Sequence, residues 1–144
     1  MSQSKYDALK LENQLCFPLY AASREIIKRY HPHLEALDLT YTQDITMMVM
    51  WEHSKISVKA LGEKLFLDSG TMTPVLKSLE KKGYIARKRS TSDERSVEAI
   101  LTEKGEQLKD TACDIPLKMA GCVGLSADEA FQLYGLLYKL LKSE

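Results

Sequence analysis

Leu67-Asp68-Ser69-Gly70-Thr71-Met72-Thr73-Pro74-Val75-Leu76-Lys77-Ser78-Leu79-Glu80-Lys81-Lys82-Gly83 is the stretch whose reading decides the fold. It opens on Asp-Ser-Gly-Thr, short oxygen-bearing side chains that cap a helix N-terminus. Met72, Val75, Leu76 and Leu79 then recur at i, i+3, i+4 and i+7, one face of a helix. Thr71, Pro74, Ser78 and Lys81 fall on the other face, and Gly83 stops the element. Upstream, Ser57 caps a shorter helix predicted over 58–66, with Leu61 and Leu65 one turn apart. Downstream, two β-like runs over 84–89 and 97–101 flank a polar tip at 90–95. Two short helices followed by a two-stranded hairpin make a winged helix-turn-helix, whose second helix enters the DNA major groove.

The flanks read as helix, so the fold class is mainly α with a small β wing. Apolar positions at Leu9, Cys16, Leu19, Tyr20, Ile26, Ile27 and Tyr30 predict a first helix over 7–30. Pro18 is expected to bend it near Cys16, and His31-Pro32 to end it. A short helix over 34–37 follows. Thr40 and Gln43 form a capping box for a helix over 41–53. That helix is apolar almost all round (Ile45, Met47, Met48, Val49, Met50, Trp51), which marks it as central. Thr102 caps a helix reaching about residue 119. After a break at 121–124, Ser126 caps a last helix through 141. A chain of 144 residues fits one domain, spanning 1–144.

Twenty Lys and Arg balance twenty Asp and Glu. Zero net charge argues against a nucleic-acid partner only if the charge is evenly spread. It is not: residues 77–95 hold seven cations against three carboxylates, and the rest of the chain carries the compensating −4. The excess falls on the second helix of the pair and on the wing, the electrostatic footprint of double-stranded DNA binding. Ser69, Thr71 and Thr73, with Asp68 at the cap, line the helix start, where short hydroxyls donate to phosphates or bases. No apolar run approaches the ~18 residues of a membrane span. The polar first dozen residues lack a signal peptide's apolar segment, so a cytoplasmic location is expected. Three cysteines without a CxxC support neither a disulfide framework nor a zinc ribbon. His31 and His33 would need further converging ligands to hold a metal, and none is expected. No nucleotide, hydrolase or metalloprotease motif is present, so no cofactor is expected either.

Leu67 to Pro74, Leu76-Lys77, Asp93-Glu94-Arg95-Ser96-Val97 and Leu101-Thr102 together resemble the MarR family of winged-helix repressors. The Asp-x-Arg at the wing, six residues before a Leu-Thr helix start, is that family's signature. Leu11-Glu12-Asn13-Gln14-Leu15-Cys16-Phe17, with Tyr20 and Ser23, resembles the organic-hydroperoxide sensors (OhrR) within it and their staphylococcal relatives. The resemblance covers residues 6 to 120. It implies an intertwined homodimer, with terminal helices at about 6–32 and 103–144 and a DNA-binding lobe at about 41–102. Two winged lobes would then read a near-palindromic operator, a two-fold protein on a two-fold site. Tyr134, Leu137, Leu140 and Leu141 continue an apolar stripe toward the end of the chain, where a lone subunit has little to bury it against. By resemblance, Arg95 reaches the minor groove with Asp93 orienting it. Arg87 and Lys77 contact the backbone, and Arg89 adds to the basic wing. Ser78 stands where OhrR proteins more often carry Arg.

Cys16 is the expected redox-active residue, because a thiol attacks peroxide only as thiolate. Tyr20 lies one helical turn on, near by spacing alone. The resemblance adds Tyr30 beside the sulfur and Tyr41 of the partner subunit. Their phenols would donate to the thiolate and stabilise it. Phe17, Leu19 and the 45–51 run would form an apolar lip that favours organic hydroperoxides. A sulfenic acid condenses with a second thiol to a disulfide. In two-cysteine OhrR proteins the resolving cysteine lies near Cys122, on the other subunit. Cys113, expected in mid-helix and packed, is the alternative. Two other functions remain open. A MarR-type repressor could be released by a small aromatic ligand, which a peroxide-insensitive Cys16→Ser protein would argue against. A thiol peroxidase would need multiple turnover and has no use for a basic wing, so a non-enzyme is expected.

Overall fold

The computed structural model describes residues 4–142. Two short 3-10 turns, Lys5–Leu9 and Leu11–Asn13, lead into α1, Cys16–Glu35. Helix α2 (Tyr41–His53), strand β1 (Lys55–Ser57), α3 (Val58–Leu65) and α4 (Ser69–Lys81) follow. The hairpin β2 (Ile85–Arg89) and β3 (Val97–Leu101) leads to α5 (Glu103–Ala112), α6 (Ile115–Ala120) and α7 (Ala127–Lys142). The antiparallel sheet runs β1-β3-β2, with Ile56 opposite Ala99 and Arg87 opposite Ala99 on the other side.

Local capping sets most of the boundaries. Thr40 and Gln43 close the capping box of α2. The Ser57 side chain accepts from the Ala60 N–H, Asp68 from Thr71 and Thr102 from Gly105. Gly83 ends α4 with φ +84°, a conformation that suits glycine. The core of the lobe gathers Met47 and Met50 of α2, Leu61 of α3, Met72, Leu76 and Leu79 of α4, Ile85 of β2 and Ala99 of β3. Gly62 permits the tight helix-turn-helix corner, since a Cβ there would lie 2.7 Å from the Leu67 carbonyl.

Several expectations are corrected, among them the separate helix over 34–37, whose first two residues belong to α1 and whose remainder is a turn. Helix α1 starts at Cys16 rather than Asp7. Upstream, the Asn13 side-chain amide donates to the Asp7 carbonyl at 2.8 Å and that of Gln14 to Lys10 at 2.9 Å, so side chains take acceptors that a helix would use. Pro18 therefore sits in the first turn, where its missing N–H would have had no intrahelical acceptor, and it is no cause of a bend. His31-Pro32 does not end α1. An interior proline costs about 3 kcal/mol, but Leu34, 1% exposed, seats against Ile115 and Met119 with Tyr30, Leu37 and Tyr41 around it. Burying one such leucine returns roughly 1.5–3 kcal/mol. The helix from Thr102 does not reach residue 119 unbroken. Pro116 cannot donate to the carbonyl of Ala112, and the chain restarts as α6 with that proline in its first turn. Finally, α2 is central but not wholly apolar inside: Gln43, Asp44 and Thr46 are buried while Met48 is exposed. Strand β1, read in the sequence as a polar turn, is too short to show a period of two.

Candidate functional site: a basic winged face and an exposed thiol

Helix α4 presents Ser69, Thr71, Thr73 and Lys77 to solvent. Asp68 Oδ1 accepts from the Thr71 N–H at 2.7 Å, and this contact holds its carboxyl below the usual carboxylate range. Asp68 is thus spent as the helix cap, and Thr73 Oγ1 donates within its own helix to the Ser69 carbonyl at 2.8 Å. The unpaired N–H groups of the first turn, Thr71 and Lys77 are left as anion-facing groups. Arg87 is not a free cation. Its Nη2 lies 3.1 Å from Glu80 Oε1, its backbone N–H donates to Glu80 Oε2 at 3.1 Å, and its buried Nε has no hydrogen-bond partner among the described residues. The Arg87 hydrogen bond in turn holds the Glu80 carboxyl low. Arg87 braces β2 on α4, whereas Lys88 and Arg89 are exposed. At the wing tip, Asp93 Oδ1 accepts from the Arg95 backbone N–H at 3.0 Å, and Ser90 N donates to the Ser96 carbonyl at 2.8 Å. Asp93 orients Arg95 through the backbone and leaves its guanidinium exposed.

Cys16 is exposed and is the first residue of α1. The first turn of a helix leaves its N–H groups without intrahelical acceptors. Phe17, the neighbour of Cys16, lines an open groove of about 750 Å³, together with Tyr20, Ala21, Tyr41 and the charged Arg24, Glu25 and Lys28. The Tyr20 hydroxyl accepts from Arg24 Nη1 at 3.4 Å, and that guanidinium lies 5.5 Å from the ring centroid.

Tyr30 is fourteen residues along the same helix from Cys16. At 1.5 Å per residue that is about 21 Å of axis, so it cannot stand beside the sulfur of its own chain. Instead Tyr30 pairs with Tyr41, ring centroids 5.0 Å apart and planes tilted by 55°. The two phenols travel together on one subunit, which corrects the expectation that divided them between subunits. Burial pushes both hydroxyls up, and the neighbouring Asp44 carboxyl adds to the shift. Asp44 was not legible as a functional residue. It is 1% exposed, its Oδ2 has no hydrogen-bond partner among the described residues, and burial raises its own pKa. The only sequence signal was an acid inside the first turn of an apolar helix.

Cys122 donates from Sγ to the Lys118 carbonyl at 3.3 Å, and its own carbonyl accepts from Arg29 Nη1 at 2.8 Å. This anchors it beside α1 near Arg29, about 20 Å of helix axis from Cys16 of the same chain. Cys113 is neither in mid-helix nor packed. It is the exposed C-terminal cap of α5, with Sγ 3.2 Å from the Asp110 carbonyl. His31 faces Glu35 at 3.9 Å on an exposed turn. Among the described residues no helix is long and apolar enough to cross a membrane.

Residues 28–112 match the transcriptional regulator SarA/Rot family. The chain is 50% identical over 141 residues to the organic hydroperoxide resistance transcriptional regulator of Bacillus subtilis, covering 98% of this chain and 96% of that protein. Among solved structures, reduced AbfR bound to DNA superposes with a TM-score of 0.78 at 32% identity, covering 96% of this chain and 97% of that one. A disulfide-formed AbfR superposes with a TM-score of 0.67 at 30% identity, again covering 96% and 97%. With a winged lobe, a basic face and relatives of this closeness, the chain belongs to the SarA/Rot family and is a transcriptional regulator of the OhrR/MarR type.

Proposed function

We propose that this regulator is a cytoplasmic homodimeric repressor that leaves its operator when an organic hydroperoxide oxidises Cys16. The observation that carries the reading is Cys16 itself, exposed at a helix N-terminus and flanked by a groove with apolar walls. The sulfur attacks one peroxide oxygen, the O–O bond breaks, and an alcohol leaves after taking a proton, so that Cys16 becomes a sulfenic acid. The Tyr30–Tyr41 pair of the partner subunit holds the thiolate, with Tyr20 of the same subunit flanking it. A second thiolate then attacks the sulfenic sulfur and releases water. Cys122 of the other subunit is the proposed resolving residue, since a Cys122 anchored about 20 Å along the axis is out of reach within one chain. Cys113 is exposed and is the alternative resolver. Arg95, Lys77, Arg89, Ser69 and Thr71 make the DNA contacts. Asp68, Thr73, Arg87 and Asp93 shape the face that presents them. A regulator working this way is not an enzyme.

Footprinting of reduced and cumene-hydroperoxide-treated protein tests the reading. Protection of a near-palindromic site by the reduced form, lost on oxidation, is expected. Cys16→Ser should stay bound under peroxide, and Cys122→Ser should fail to give a crosslinked dimer on a non-reducing gel. Release of the Cys16→Ser protein would sink the thiol mechanism. Arg24 and Lys28, which line the same groove together with Glu25 and mostly apolar side chains, support a second reading in which a small aromatic acid is the inducer. Release of Cys16→Ser protein by such an acid, without peroxide, would support it.

A further inference from the structure

Gln43 sits in the first turn of α2, 7% exposed, and its side chain serves three elements at once. Its Oε1 accepts from the Thr40 backbone N–H at 3.1 Å, closing the capping box, and from Lys82 Nζ, also at 3.1 Å. Its Nε2 donates to Ser78 Oγ of α4 at 2.9 Å. Lys82, the residue that caps the end of α4, also donates to the Asp38 carbonyl and lies 3.7 Å from the Asp38 carboxylate. Asp38 forms the corner between α1 and α2, with φ +54°. One amide therefore joins that corner, the start of α2 and the helix that faces DNA. A capping box needs only the bond to Thr40. The donor aimed at α4 and the lysine behind it are additional. In the low-dielectric interior their loss is felt more than at the surface.

The same turn of α2 touches the sensing groove. Tyr41, two residues before Gln43, rests on Tyr30 at 5.0 Å, and Thr40 lines the groove with Phe17. Displacing the tyrosine pair therefore pulls on the turn that Gln43 closes. We propose that Gln43 is a positioning residue that transmits the state of the Tyr30–Tyr41 pair to α4, holding α4 in its operator-binding placement while the pair is seated. Hydrogen-bonded networks carry coupling of this kind when the elements they join have two arrangements. The proposal rests on the redox reading given above.

Operator affinity of the reduced and oxidised dimers, measured side by side, tests it. Gln43→Leu is expected to lower the affinity of the reduced form about 10-fold and to leave the oxidised form unchanged, within the 5–150-fold range of allosteric couplings. Its rate of Cys16 oxidation should match wild type. Ser78→Ala keeps the cap of α2, and so keeps the proposal testable should Gln43→Leu fail to fold. It is expected to act in the same direction, about threefold, as one lost hydrogen bond. Gln43→Glu retains both acceptor contacts and lets Ser78 donate, so it should restore the wild-type ratio. Equal weakening of both forms, or an unchanged ratio in Gln43→Leu and Ser78→Ala, overturns the relay alone. A wild-type protein with no redox response overturns the redox reading and the relay with it.

Discussion

Helices α4 and α7 are similar in length, 13 and 16 residues, and both carry an apolar stripe, yet their fates differ. Helix α4 buries Met72, Leu76 and Leu79 completely in the lobe core, whereas α7 buries no residue and leaves Phe131 80% exposed. A stripe at helical spacing shows that a face will be covered. It does not show whether the cover comes from the same chain. The lobe α2–β3 is finished by its own contacts, with Arg87 bracing β2 against Glu80 and Gln43 bracing α2 against α4. The α7 face buries nothing among the described residues, and contiguous exposed apolar surface of this kind marks a protein–protein contact.

Breaking the unfinished face should have the largest effect. Leu137→Glu places a charge on the α7 stripe and is expected to weaken the proposed dimer roughly 100-fold, as loss of an interface hot spot does. Analytical ultracentrifugation should show monomer, and operator binding should fall with it. An unchanged dimer would mean that α7 is covered in another way. Breaking the finished face should act on the fold instead. Leu76→Ala is expected to destabilise by about 2–5 kcal/mol, a fully buried leucine leaving a cavity. Urea unfolding would measure it, and a loss below 1 kcal/mol would mean that the lobe repacks. The smallest expected effect concerns Asp44, a buried acid whose Oδ2 has no hydrogen-bond partner among the described residues. Its folded pKa is raised by burial, so in the folded state it holds its proton to higher pH than in the unfolded chain. The folded state thus gains on acidification and loses stability as pH rises from the ordinary carboxylate range through the raised value. Asp44→Asn should be more stable than wild type by about 1–3 kcal/mol at pH 7, the scale of one unsatisfied buried group. The gap should close near pH 4. A gap that persists at pH 4 would show that Asn repairs packing rather than charge.

Helix starts were readable because an N-cap is a local event. Thr40, Ser57, Asp68 and Thr102 each accept from a backbone N–H three residues on, so spacing alone identifies them. The basic wing was readable for the same reason, once the charge was divided along the chain. Much of the candidate site was not. Cys16 was visible as a thiol in a motif, but its place as the first residue of α1 depends on side-chain amides of Asn13 and Gln14 competing for backbone carbonyls. Arg87 read as a DNA contact, yet Glu80 claims it. Nothing in the spacing of the two residues said that β2 would return against α4.

What the sequence determined by itself was the position of the capped helix starts, the winged lobe and the location of its charge, all set by interactions a few residues long. Tertiary structure decided the passage of α1 through Pro32, the restart at α6, the union of Tyr30 with Tyr41 and the burial of Gln43 and Asp44. Each of these depends on residues remote in the chain, such as Leu34 against Ile115 and Met119. Burial energy from such contacts can outweigh a local preference worth about 3 kcal/mol, and only the folded chain brings them within reach.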